Sequence, residues 1–571
     1  MKIFSLAFSY LPAKIKKRYV LLFVFSFFIN FLEILGIGSL IPILDFLLNG
    51  NIFFEKFFLK LDLNKYFQDR ISLVNLMFLI VFFIFFFKNI FISIYKHYEL
   101  KNSSNTRIYM TNKIYNFYLN LSYKEYFITN LATKIRNSDL EVINYVTFIS
   151  AIFTFLTEGI LVFSFVTIAL IIEPLVSSTL IFFAGIGLFL FMYKSNVVKK
   201  WGTQRQKHSK LYLKYLYHGL IGFVDIKLFA INNYFIKKLN FNLKNHTNFS
   251  RYQLFLNTIA KNIFEVLIVF GLVMVSIFLF KSGYSKTEII IILSVSAAVI
   301  FKLIPSLIKV VIALNHINFC KPSIKIINEI NYKFQKNEKE KKIDLIKKNI
   351  SFLKELTLKN ISFKYGSKKI LFKNLNLIIK KNEFIGIYGP SGSGKSTLLD
   401  IISGLRKDYL GEVTIDGRST KNINLRNMIG YVSQKSTIFN ETIKFNVALS
   451  ETNIQINKLN NAIIKSRAKE FIKNLPKKAN TTVGEGGLKL SEGQKQRILL
   501  ARAFYALPKI ILLDESTNAL DEKNEDRIFK DLKRLNKLGF TICAVSHNIN
   551  LLRNYCSKIY LLNNKKLKRK K

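Results

Sequence analysis

Six long apolar stretches occupy the first 314 positions, near Tyr19–Leu44, Leu73–Tyr95, Thr147–Ile172, Leu175–Tyr193, Asn257–Phe280 and Glu288–Leu314. Each is long enough to cross a hydrocarbon layer ~30 Å thick as a helix. Lipid removes water as a hydrogen-bonding partner, so a chain of this kind must satisfy its backbone within helices. Half of the 571 residues are hydrophobic and 54 are Phe, more apolar surface than a soluble core of this length requires. The third and fourth stretches meet at Glu173-Pro174, a tight turn, because Pro cannot continue the preceding helix.

Charge sets the expected topology. Between the fourth and fifth stretches, positions 194–256 hold twelve basic residues and one acid, Asp225. The positive-inside rule puts that loop, the 96–145 loop and both chain ends in the cytoplasm. Both loops have little Pro or Gly and are expected to continue the membrane helices as long helical extensions. The formal net charge of +49 first suggests a nucleic-acid binder. Its placement in loops facing the cytoplasm, in a Lys-, Asn-, Ile- and Phe-rich chain, gives a simpler reading, and no nucleic-acid partner is expected. Lys14, Lys16, Lys17 and Arg18 precede an apolar run too long for a signal peptide, so that run reads as the first membrane helix. Cys320, Cys543 and Cys556 have neither metal-ligand nor redox-motif spacing.

After Lys321-Pro322 the pattern changes. A Lys-, Glu- and Asn-rich stretch, 333–348, reads as a solvated linker helix, and from Leu353 short apolar strands alternate with helices. The expected organisation is an α-helical membrane domain over 1–325, a linker over 326–352 and an α/β P-loop NTPase domain over 353–571. Its strongest motif is Gly389-Pro390-Ser391-Gly392-Ser393-Gly394-Lys395-Ser396-Thr397, set between the strand-like Phe384–Tyr388 and a helix start. That context suits a loop whose backbone N–H groups and helix N-terminus hold phosphates. Lys395 would reach the β- and γ-phosphates of ATP, and Ser396 would ligate Mg²⁺. The apolar run Ile510–Leu513 delivers Asp514 and Glu515 to a strand end, Asp514 suited to the Mg²⁺ and Glu515 to polarising the attacking water.

Leu490-Ser491-Glu492-Gly493-Gln494-Lys495-Gln496-Arg497 resembles the signature of ATP-binding cassette (ABC) proteins, and the order of apolar spans then cassette resembles bacterial half-size ABC exporters. The resemblance implies an ATP hydrolase coupled to transport, with Tyr365 stacking on adenine. It also makes Gln434 a Mg²⁺-sensing and catalytic residue and His547 the switch histidine, and it puts Asp521 in the D-loop. Thr482–Gly487 is similar to the segment that contacts coupling helices. Ser491, Gly493 and Gln494 would close on ATP held by a second copy, so a homodimer is implied. The family usually has Gly at the position of Glu492. Ser491 and Gly493 remain, and a tuned ATPase is expected.

Cargo signals lie in the spans. Lys88, Lys261 and Lys302 fall in the inner-leaflet half of the second, fifth and sixth stretches, and intramembrane cations by default face a cavity and an anionic partner. Phe53, Phe54, Phe57, Phe58 and Leu61 recur at helical spacing in an outer loop, as in a short interfacial helix. These features resemble the flippases of lipid-linked oligosaccharides in bacterial protein N-glycosylation. That implies a polyprenyl-pyrophosphate glycan moved from the inner to the outer leaflet of the bacterial cytoplasmic membrane. An exporter of peptides, drugs or other lipids is the alternative, and a soluble ATPase of DNA repair or translation is disfavoured by the six spans.

Overall fold

The structure is a computed structural model that describes residues 7–38, 70–172, 174–284, 286–344, 352–366, 369–421, 425, 428–434, 436–515 and 522–570. The aromatic repeat at 53–61, the turn residue Glu173 and the D-loop residue Asp521 lie outside the described residues. The chain divides into two compact units, one of residues 1–120 and 129–336, the other of 121–128 and 337–571.

The first unit is helical: α1 (Ala13–Gly38), α2 (Arg70–Leu119), α4 (Leu131–Ser138), α5 (Leu140–Ile172), α6 (Pro174–Tyr193), α7 (Ser195–Ile221), α8 (Phe223–Leu228), α9 (Asn232–Lys281) and α10 (Lys286–Asp344). The short α3 (Tyr123–Ile128) belongs to the second unit. Among the described residues, six helices are long and apolar enough to cross a membrane. The helices α2 and α9 have 50 residues each. At ~1.5 Å per residue that is about 75 Å, far beyond the ~30 Å a bilayer core needs. In α2 the apolar stretch and the polar residues after it, and in α9 the polar residues and the apolar stretch after them, form one unbroken helix. Close helix crossings depend on missing side chains. A Cβ on Gly202 of α7 would sit 2.2 Å from the backbone oxygen of Phe319 in α10, and one on Gly187 of α6 2.6 Å from the Phe264 ring of α9. Phe264 is fully buried in a cluster with Phe165, Phe191, Leu307 and Val311.

The second unit holds two sheets. Strands β1 (Glu355–Tyr365), β2 (Lys369–Lys380), β4 (Leu410–Ile415) and β5 (Arg418–Ser419) form an antiparallel sheet ordered β2-β1-β4-β5. The other sheet is ordered β10-β9-β3-β8-β7-β6, from β3 (Phe384–Tyr388), β6 (Ile429–Val432), β7 (Ile510–Asp514), β8 (Thr541–Val545), β9 (Lys558–Asn563) and β10 (Lys566–Arg569). It is parallel from β9 to β6, with β10 antiparallel on its edge. β7 and β8 are buried at every position, and apolar clusters line both faces. A run such as Ile510–Leu513, apolar without alternation, is what a strand covered on both sides requires.

Candidate functional site

Parallel strands all end at one edge, and the strand order gathers the motifs there. The phosphate loop leaves β3, Gln434 follows β6, Asp514 and Glu515 end β7, and His547 follows β8. Ligands bind in open α/β sheets at the carboxyl ends of the strands. Motifs up to 158 positions apart thus become neighbours.

The loop 389–394 feeds helix α11 (Lys395–Ile402). Gly394 has φ +103°, open to glycine at little cost, and a Cβ there would strike Leu371 at 2.7 Å. A Cβ on Gly389 would lie 2.2 Å from the Leu562 carbonyl oxygen. The Lys395 ammonium donates to the carbonyls of Gly389 at 2.9 Å and Pro390 at 3.3 Å, and lies 3.5 Å from Glu515. Ser393 Oγ is buried with no hydrogen-bond partner. An orphaned hydroxyl beside a buried ammonium and a helix N-terminus fits a bound phosphate group.

Ser396 Oγ donates to Asp514 Oδ1 at 3.0 Å. Asp514 is 2 % exposed. Burial pushes its carboxyl above the ordinary range; Glu515 and Asp400 push the same way, against the hydrogen bonds from Ser396 and the Gln434 backbone. Acids crowded together at low exposure beside a serine hydroxyl suit Mg²⁺, an oxygen-seeking ion that keeps several waters and substrate phosphates as ligands. Glu515 adopts φ +50°, a strained backbone for a non-glycine residue, and its Oε1 lies 2.8 Å from His547 Nε2. Glu515 thus stands between Lys395 and His547 at the mouth of the phosphate loop.

Tyr365 ends β1, is 45 % exposed, and shares a 3.0 Å hydroxyl contact with Thr397. Its ring is tied to the phosphate loop and open to a planar base. The signature opens helix α12 (Glu492–Tyr505). Ser491 is the N-cap, accepting from the Gln494 N–H while the Gln494 side chain accepts from the Ser491 N–H. Glu492 sits in the first turn, where the helix dipole favours an acid, and accepts from Lys495 at 2.6 Å. Its charge is therefore partly matched locally.

The lysines of the apolar segments stand differently. Lys88 is 2 % exposed, 3.3 Å from Glu33 of α1 and 4.1 Å above the Phe85 ring. Lys261 is exposed on α9, and Lys302 lies on α10. A second ion pair joins Lys309 of α10 to Glu158 of α5 at 2.7 Å. Glu33, Glu158 and Lys309 all lie in the apolar stretches, where acids are as rare a signal as lysines, and sequence reasoning passed over them.

With this geometry in view, residues 372–518 match the family model described as ABC transporter. The chain is 38 % identical over 203 residues to ABC transporter B family member 13 of Arabidopsis thaliana, covering 35 % of this chain and 16 % of that one. It is 37 % identical over 206 residues to the ATP-dependent lipid A-core flippase of Desulfotalea psychrophila, covering 36 % of each. These alignments span only about a sixth to a third of the curated relatives' length. A solved structure, a bacterial Atm1-family ABC exporter with ATP bound, aligns with 97 % of this chain and 95 % of its own at a TM-score of 0.77 and 17 % identity. The fold is that of an ABC exporter. The strand-end cluster is accordingly the cassette of that fold, and the helical unit its membrane half.

Proposed function

We propose that the chain is one half of a dimeric ATP-driven exporter in the bacterial cytoplasmic membrane, its cassette and both ends cytoplasmic. The observation that carries this is the convergence of Lys395, Ser396, Asp514, Glu515 and His547 at one sheet edge, in a chain with six helices fit to cross a membrane. Lys395, Ser393 and the loop amides would bind the triphosphate of ATP, and Tyr365 its base. Ser396, Asp514 and Gln434 would hold Mg²⁺, which supplies charge neutralisation on the phosphates. Glu515 would take the proton of the attacking water at Oε1, and His547, with Nε2 2.8 Å from that oxygen, would orient it. Ser491, Gly493, Gln494 and Asp521 of a second copy would complete each site, which makes the working form a homodimer.

For cargo we propose an anionic lipid-linked molecule moved to the outer leaflet, on the resemblance to lipid-linked oligosaccharide flippases and the intramembrane cations Lys88, Lys261 and Lys302. One relative is named an ATP-dependent lipid A-core flippase, a lipid cargo in that protein. The Lys88–Glu33 pair favours a second reading. A lysine already matched by a carboxylate offers less charge to an anion, as an exporter of drugs, peptides or neutral lipids would have. Purified protein in proteoliposomes decides between them. Polyprenyl-pyrophosphate glycans should stimulate ATP hydrolysis and be translocated where phospholipids and peptides are not. No stimulation by the glycolipid, with stimulation by hydrophobic drugs, would transfer the assignment to the second reading.

A further inference from the structure

Eight residues from the N-terminal half, 121–128, fold with the cassette unit, and a buried guanidinium of that unit, Arg406, packs against one of their rings. Arg406 lies just after the phosphate-loop helix, its backbone N–H donating to the Asp400 carbonyl at 3.0 Å. It is 7 % exposed, and three rings surround it: Tyr123 of α3 at 5.3 Å, Phe363 at 4.8 Å and Tyr365 at 5.0 Å. Its Nη1 donates to both carboxylate oxygens of Asp408 at 3.4 Å, and its Nε is buried without a hydrogen-bond partner. A cation kept from water with an incomplete set of acceptors depends on its aromatic neighbours.

The contacts around Arg406 extend in both directions. Asp408 also reaches Lys124 of α3 at 3.9 Å. Asp400 accepts from the Tyr431 hydroxyl at 3.1 Å and is hydrogen-bonded by Tyr123. Burial, then the Asp400 charge, push the Tyr123 phenol up to about 12, so it stays a neutral donor. On the other side Tyr365 is half open and tied to Thr397 of the phosphate-loop helix. One planar cation therefore touches both the ring facing the nucleotide base and the helix donated by the membrane half's sequence.

We propose that Arg406 is a positioning residue through which occupancy of the base site sets how firmly α3 is held, and that α3 in turn tightens base binding. The inference rests on the nucleotide reading of the cassette. A base stacked on Tyr365 fixes that ring; the fixed ring holds the guanidinium; the guanidinium holds Tyr123. Linkage is reciprocal, so loosening α3 must weaken binding of a ligand that carries the base and spare one that lacks it.

The test is a double-substitution cycle on the full-length protein in nanodiscs, with ATP and inorganic tripolyphosphate as probes. Tyr123→Leu is expected to weaken ATP binding about three- to tenfold and leave tripolyphosphate unchanged. In an Arg406→Met background, Tyr123→Leu is expected to add nothing further. Additive effects, or equal losses for ATP and tripolyphosphate, overturn the proposal while leaving the nucleotide site standing. Failure of the unsubstituted protein to bind ATP at all overturns the site reading beneath it. If Arg406→Met does not fold, Arg406→Lys keeps the charge without the planar fork; additivity in that background overturns the proposal equally.

Discussion

The two ends of this chain carry charge in opposite ways. In the cassette, Lys395, Asp514, Glu515 and His547 are brought to one edge from three strands, and their charges remain only partly matched: Asp514 is buried among acids, and Ser393 is orphaned. In the helical unit, Lys88 and Lys309 are each matched by a carboxylate from another helix. Unmatched charge at a strand edge is a site prepared for a ligand; matched charge between apolar helices fixes which helices pair and at what height. The same residue types thus signal chemistry in one half and register in the other.

Breaking the cassette side should give the largest effect. Glu515→Gln removes the proton acceptor without altering the phosphate loop, and ATP turnover should fall by about 10²–10⁴-fold while nucleotide affinity stays within a few-fold. Steady-state hydrolysis and equilibrium nucleotide binding, measured on the same preparation, check both halves of that statement. An undiminished rate would remove Glu515 from its assigned role.

The helical side can be broken by unmatching a pair. Glu33→Leu leaves the Lys88 ammonium buried without its carboxylate, at a cost of about 3 kcal/mol on the scale of a broken buried pair. The double change Glu33→Leu with Lys88→Met should recover most of it. Thermal unfolding in detergent reads the difference, and equal stability of the single and double variants would mean the pair sets nothing. Packing comes next. Gly187→Ala forces a Cβ to within 2.6 Å of the Phe264 ring and should cost about 1–3 kcal/mol in the same assay.

The smallest effect sharpens the contrast most directly. Asp514 has a raised carboxyl in the folded protein, so it binds its proton more tightly there than in the unfolded chain. Its share of stability is therefore fully present at pH values below the ordinary carboxylate value and is lost as pH rises through the raised one. Asp514→Asn should stabilise the nucleotide-free protein at neutral pH, read as a higher melting temperature, and flatten that pH dependence. Mg-ATP should stabilise the unsubstituted protein and not the variant. A melting temperature that falls in Asp514→Asn would show that the carboxylate is already well compensated.

How much of this was legible in the residues follows the same division. The phosphate loop, Asp514-Glu515 and His547 could be read because local chain geometry makes them: glycines where backbone and side chains approach closely, apolar runs that must be covered strands, polar residues at strand ends. Their convergence needed only the rule that parallel strands end together. Lys88 was legible as an unusual cation, but its partner Glu33 is 55 positions away, and nothing local ties the two. The same holds for Lys309 and Glu158, 151 positions apart. Arg406 belongs to no sequence motif, and the third of its rings, Tyr123, comes from residues 121–128, which fold with a unit that resumes more than two hundred positions later.

That return limits how such a protein can change. A cassette swapped in from another chain of this fold would arrive without the eight residues packed on it here, and would meet Tyr123 and Lys124 with whatever it carried in place of Arg406 and Asp408. Inheritance of either half alone would leave a guanidinium short of one of its three rings or a stranded turn of helix. The two parts must therefore travel through evolution as one unit of selection, although the gene writes them as consecutive blocks.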